Sequence, residues 1–228
     1  MRIARRTGLI IVILLISAIT VLYALDLAGE ESSMRDLAPA EVREYRGERL
    51  SSVADFRENS IRGPQYVNAS SYTLTIDGHV DSRQVYSYDR VLNGFPNYRK
   101  VVTLYCVEGW DVTILWEGVR VKDLLQEAGV EPGANTVIFY AEDGYSSSLP
   151  LSTIEDRDIL LAYAMNNVTL PAERGFPFQL VAEDKWGYKW VKWVTRIEVS
   201  EDENYRGYWE SRGFAHNGST ERPFFDRG

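Results

Sequence analysis

Apolar residues in this chain fall into two textures. Residues 9–25 form one unbroken run, LIIVILLISAITVLYAL, without a charge. At about 1.5 Å of rise per residue, a helix of this length is at the short end of what spans a hydrocarbon core. From Tyr72 onward, apolar residues recur in short β-rich runs punctuated by turn residues. Residues 72–76 (YTLTI) alternate toward Asp77-Gly78 and predict a strand entering a turn. Residues 101–106, 136–141, 159–165 and 178–182 predict further strands, the first ending on Cys106. In 191–199, Val191, Trp193, Thr195, Ile197 and Val199 share one face of a strand. Val121, Leu124, Leu125 and Ala128 recur at the spacing of one helical face. Many short strands with few short helices predict an α+β body with mixed β-sheets.

The ends are read from charge. Arg2, Arg5 and Arg6 precede the apolar run, and Asp26, Glu30 and Glu31 follow it. The positive-inside bias then predicts a cytoplasmic N-terminus at 1–8, a transmembrane anchor at 9–25 and everything after Asp26 outside. A cleaved signal peptide is the other reading, although DLAGEESS offers no clean small-x-small cleavage site. Arg5-Arg6 also loosely matches a twin-arginine export signal, a pairing common in any positive N-terminal region. Acceptor triplets at Asn68, Asn167 and Asn217 lend weak support to an outside location. Residues 26–62 are polar and charge-mixed, with helical character over AEVREYRGERL, and predict a stalk with a short helix. The body is expected at 63–214, followed by a tail at 215–228.

Composition narrows the chemistry. With 25 Lys+Arg against 33 Asp+Glu the net charge is -8, which disfavours nucleic acid as a partner because phosphate neutralisation needs a cationic surface. A hydrophobic content of 45% in 228 residues is enough for one well-cored domain. The single cysteine, Cys106, excludes an intramolecular disulfide, a thiolate zinc cluster and a haem attachment motif. With two histidines besides, metal chemistry here has to come largely from a cofactor.

Two constellations can carry chemistry. Cys106, in TLYCVEGWDV, lies at a strand end, where loops meet and pockets form; its bland alternative is a small core hydrophobe. Residues 170–193 place Arg174, Lys185, Lys189 and Lys192 around Gly187 in an otherwise acidic protein. Such a loop suits an anion, phosphate above all, and its alternative is the solvated face of an edge strand.

CVEGW around Cys106, EDGYSSSLPL at 142–151, LLAYAMNNVTLPAERGFP at 160–177, KWGYKWVKWVTRIEV at 185–199 and GYWESRGF at 207–214 occur in an order that resembles the molybdopterin-binding domain of the sulfite oxidase superfamily. The nearer branch is that of the periplasmic methionine sulfoxide reductase catalytic subunit. The resemblance implies a sulfite-oxidase-type fold holding one molybdenum through the pterin dithiolene and one protein thiolate. Cys106 matches that ligand, and a soft thiolate suits such a site. Glu108 and Trp110 would line the pocket, Glu108 as a proton relay. Ser146 and Ser147 would hydrogen-bond the pterin, Arg174 would lie near the cofactor, and Lys189 and Lys192 match basic residues of its loop. Trp186, Gly187 and Tyr188 would offer backbone donors to the terminal phosphate. Relatives carry Arg where this chain has Gln179, which donates hydrogen bonds but supplies no charge.

The resulting expectation is an anchored, externally facing molybdoenzyme that transfers an oxygen atom between water and a small substrate through Mo(VI)/Mo(IV). Branch and Gln179 together favour reduction of an S-oxide or N-oxide over sulfite oxidation. Electrons would come from a membrane partner delivering quinol electrons, because the chain has no haem or iron-sulfur ligands. A non-catalytic membrane-associated binding module that keeps the fold is the rival from another class, and retention of Cys106 argues against it.

Overall fold

The computed structural model describes residues 39–225, together with residues 16, 17, 20, 36 and 37. The chain falls into two units, Met1–Pro39 and Ala40–Gly228. Among the described residues no helix is long and apolar enough to cross a membrane. The expected anchor at 9–25 lies almost wholly outside them.

The second unit contains β1 (Glu44–Tyr45), β2 (Glu48–Arg49), β3 (Thr73–Gly78), β4 (Gln84–Ser87), α1 (Tyr88–Gly94), β5 (Tyr98–Tyr105) and β6 (Asp111–Arg120). It continues through α2 (Val121–Ala128), β7 (Thr136–Ala141), β8 (Ser146–Pro150), α3 (Leu151–Arg157), β9 (Leu160–Met165), β10 (Val168–Thr169), β11 (Gln179–Val181) and β12 (Val194–Ser200). One sheet runs β10-β9-β6-β5, with β11 also on β9; the other runs β4-β3-β12-β7-β8. Among the strands of the described residues, only β12 and β3 pair in parallel. The result is a mixed-sheet body with few helices.

The helix expected from the 121/124/125/128 spacing is α2, with all four residues buried. The long strand β6 was not anticipated. Ile114, Leu115 and Trp116 are consecutive and buried, so both faces are covered and the alternation that marks a half-exposed strand is absent. β6 also shifts register between Glu117 and Gly118. A Cβ on Gly118 would lie 2.2 Å from the Leu161 carbonyl oxygen, so the close approach of β9 requires glycine there.

Residues 40–62 depart from the expected stalk. The helix predicted over AEVREYRGERL is instead the hairpin β1-β2, turning through Arg46 (φ 51°) and Gly47 (φ 85°). Two consecutive left-handed residues suit a two-residue hairpin turn and interrupt a helix. The segment packs on the body rather than standing off it, with Leu50 and Val53 in the core. Its buried Glu41 carboxylate accepts from Ser52 Oγ at 2.5 Å, the Val53 amide at 2.9 Å and Asn166 Nδ2 at 3.2 Å. The tail likewise folds back: the Ala215 amide bonds the Phe224 carbonyl at 2.8 Å, and Phe214 packs against Phe224 and Phe225. The body therefore runs from 40 to 225, longer at both ends than 63–214.

Candidate active site

Cys106 directly follows β5 in the hairpin that leads into β6. Its amide donates to the Trp110 carbonyl at 2.9 Å, and the Gly109 amide donates to the Cys106 carbonyl at 3.1 Å. Gly109 closes the turn at φ 84°, where a side chain would be strained. A lone parallel bridge between Tyr105 and Trp186 brings the 185–193 loop beside the cysteine.

The thiol borders a cavity of about 300 Å3, at the small end of ligand-site volumes. Of the residues singled out in the sequence, Cys106, Glu108, Trp110, Arg174, Gln179, Gly187, Tyr188 and Lys192 line it. Burial pushes the Cys106 thiol pKa up. The backbone N–H at Glu108, the Asn59 amide and the Arg57 charge pull it down, while the Glu108 carboxylate adds to the rise. Asn59 Nδ2 lies 3.7 Å from the sulfur as a donor. Trp110 Nε1 donates to Glu108 at 3.2 Å and orients that carboxylate beside the cysteine turn.

The inner cations are engaged by the chain itself. Arg174 donates to the carbonyls of Val53 and Phe56 at 3.2 and 3.1 Å and stacks over the Phe56 ring at 4.9 Å. Lys192 meets Glu58 at 2.6 Å and the Glu173 carbonyl at 3.3 Å. Gln179 is buried beside them.

Four of the expected residues are not in the lining. Lys189 and Glu210 form an ion pair at 2.6 Å with side chains 1% and 0% exposed, and Ser147 Oγ donates to the same carboxylate oxygen at 2.5 Å. Ser146 Oγ accepts from Tyr205 at 2.8 Å. Trp186 donates its ring N–H to the Arg222 carbonyl at 3.0 Å and its amide to Gly218 at 2.8 Å. Ser146, Ser147, Lys189 and Trp186 thus tie the body to the C-terminal segment.

One wall was missed in the sequence. Phe56, Arg57, Asn59, Ser60 and Ile61 line the cavity from within the supposed stalk. A lone aromatic beside an amide in a charge-rich stretch was the only local signal there. Trp209 and Phe214 complete an aromatic side.

The Oxidoreductase molybdopterin binding domain family matches residues 61–209. The chain belongs to this family. It is 35% identical over 156 residues to the uncharacterized oxidoreductase YuiH of Bacillus subtilis, covering 68% of this chain and 78% of that protein. It is 32% identical over 148 residues to a protein of Azospira oryzae described as a candidate protein-methionine-sulfoxide reductase subunit, YedZ1, covering 65% of this chain and 56% of that one. Human mitochondrial sulfite oxidase is 33% identical over 153 residues, covering 54% of this chain and 28% of the enzyme. Among solved structures, the sulfane dehydrogenase SoxCD of Paracoccus pantotrophus superposes with a TM-score of 0.60 at 26% identity, covering 67% of this chain and 43% of that chain. The chain thus spans most of one relative and about half or less of the others. Both the superfamily and the sulfoxide reductase branch read from the motifs are among its relatives.

As a member of the molybdopterin-binding family, the chain is an oxidoreductase whose cofactor is molybdopterin with molybdenum. The residues present fit that group. A soft sulfur donor borders the cavity, and a Cβ on Gly187 would lie 3.7 Å from the Cys106 Cα, so the glycine leaves the wall beside the thiol open.

Proposed function

We propose that this protein is a membrane-anchored, externally facing oxidoreductase that reduces an organic S-oxide or N-oxide, with electrons delivered by a membrane partner. One observation carries the preference for an oxide: the two inner cations, Arg174 and Lys192, are spent on the chain's own carbonyls and on Glu58, and Gln179 beside them is neutral. A small dianion beside Arg174, Lys192 and Gln179 would find no uncommitted charge, the free cation among the described residues that border the cavity being the exposed Arg57, whereas a neutral oxide needs only hydrogen-bond donors.

The bound molybdenum supplies two-electron oxygen-atom exchange. The chain's own residues do the rest. Cys106 offers the thiolate that holds the metal, and Asn59 steadies that sulfur with an N–H donor. Glu108, turned by Trp110, is placed to hold a proton at the mouth. Net reduction takes the oxide, two electrons and two protons to the deoxygenated compound and water, so a carboxyl that can be reprotonated there serves the reaction. The aromatic side formed by Trp110, Trp209 and Phe214 limits water access and packs the substrate's apolar part.

The test is molybdenum and pterin content together with oxidation of a reduced dye by sulfoxides and N-oxides. Cys106→Ser should fold but lose both metal and turnover. Loaded protein that reduces no oxide, yet passes electrons from sulfite to an acceptor, would favour sulfite oxidation. A well-folded protein without molybdenum from a host that makes the cofactor would leave a binding module.

A further inference from the structure

Three cations border the cavity, and two of them are committed. The third, Arg57, makes no hydrogen bond or ion pair among the described residues, although it lines the cavity and is exposed. It is not an arbitrary surface arginine, because the chain is fixed on both sides of it. Phe56 is packed edge-on against Trp110 and Trp116, at 6.3 and 6.2 Å, and lies beneath the Arg174 guanidinium. Glu58 is held by Lys192 at 2.6 Å. A free guanidinium is therefore presented from a short anchored stretch that borders the same cavity as Cys106.

We infer that Arg57 is a specificity-determining residue that takes an anionic group carried by the substrate, a carboxylate a few bonds from the reacting oxide. This rests on the oxide-reductase reading and names its substrate class. The planar fork of a guanidinium matches a carboxylate, while Trp110, Trp209 and Phe214 border the same cavity and face the substrate's apolar part. At a net charge of -8 the protein repels anions at long range, so an anionic substrate needs a local cation of this kind at the entrance.

The experiment uses the molybdenum-loaded full chain with (methylsulfinyl)acetate and its neutral methyl ester as substrates. Wild type, Arg57→Gln and Arg57→Lys are compared, with molybdenum content measured in each. Arg57→Gln should raise KM for the acid roughly tenfold more than for the ester. kcat should change little, Arg57→Lys should restore part of the preference, and added salt should erode it. Equal effects on acid and ester, or loss of molybdenum from Arg57→Gln, would overturn the inference. Trp110 and Trp209 line the cavity, so binding of (methylthio)acetate, the reaction product, is also read from tryptophan fluorescence without turnover. Arg57-dependent binding in a protein that reduces neither compound would remove the oxide-reductase reading and keep Arg57 as an anion-recognising residue; binding indifferent to Arg57 would remove the inference itself.

Discussion

The Lys192 ammonium meets the Glu58 carboxylate at 2.6 Å and joins segments 134 residues apart. The side chains are 14% and 20% exposed, so the pair closes one wall of the cavity in a setting of low polarity. Burial lowers the Lys192 pKa, and Glu58 opposes that fall.

Glu58→Gln should therefore destabilise the protein by about 1–3 kcal/mol, because a buried ammonium loses its anion. Lys192→Met combined with Glu58→Gln should cost less than the sum of the single changes. Urea midpoints for the four proteins check this. The sign with pH follows from the lowered Lys192 pKa: between its folded value and 10.5 the unfolded chain holds more protons, so stability contributed by this group rises with pH across that window. Additive single effects would mean that the pair does not hold the wall.

The wall should also be the most labile part of the site. Among the described residues, the backbone N–H groups of 56–63 and of Gln65 donate to no backbone carbonyl, and Pro64 has none to donate; the flanking bonds are Asp55 to Ser52 and Ser71 to Asn68. By contrast β5 and β6 pair at eight consecutive positions. Hydrogen exchange of cofactor-free protein should show peptides over 56–65 exchanging well before those over β6, and loading should slow the former. Protection in 56–65 equal to that of β6 before loading would contradict it.

The two segments that were read differently share a cause with this lability. Much of what holds 53–58 comes from Arg174 and Lys192, 118 to 134 residues away, and no local pattern encodes such partners. Good helix formers in AEVREYRGERL outvoted the Arg46-Gly47 turn, although hairpin pairing rests on that turn. Periodicity was legible where one face is wet and one dry, as in α2, and failed in β6, where Ile114, Leu115 and Trp116 are all buried. The ordered motifs placed Cys106, Glu108, Trp110 and Lys192 around one cavity. They could not show that Ser147 and Lys189 meet at Glu210, because that depends on how the C-terminal segment folds back.

Glu41 offers a test of how firmly the N-terminal segment belongs to the body. Its carboxylate accepts from Ser52, Val53 and Asn166 with a side chain that is 0% exposed. Glu41→Gln turns an amide donor toward these donors and should cost about 2–3 kcal/mol. The urea midpoint should fall without a change in slope. A midpoint matching wild type would mean that residues 40–53 are only loosely attached.

Acid sensitivity should centre on His216. Its Nδ1 is buried with no hydrogen-bond partner among the described residues, and its carbonyl accepts from Lys189 at 3.1 Å. Burial holds the imidazole below its ordinary value of 6.5; Lys189 and Arg206 add to that fall, and Glu210 and a backbone hydrogen bond at Glu203 oppose it. As pH drops through 6.5 the unfolded chain takes up the proton first, so the folded state loses stability until the folded pKa is passed. Wild type should therefore weaken between pH 7.5 and 5 more steeply than His216→Gln, whose side chain does not titrate. Unfolding midpoints of both proteins across that range decide the matter. A constant gap between the two curves would place the acid-sensitive group elsewhere, whereas a gap that closes toward pH 5 would locate it in the contact between the C-terminal segment and Lys189.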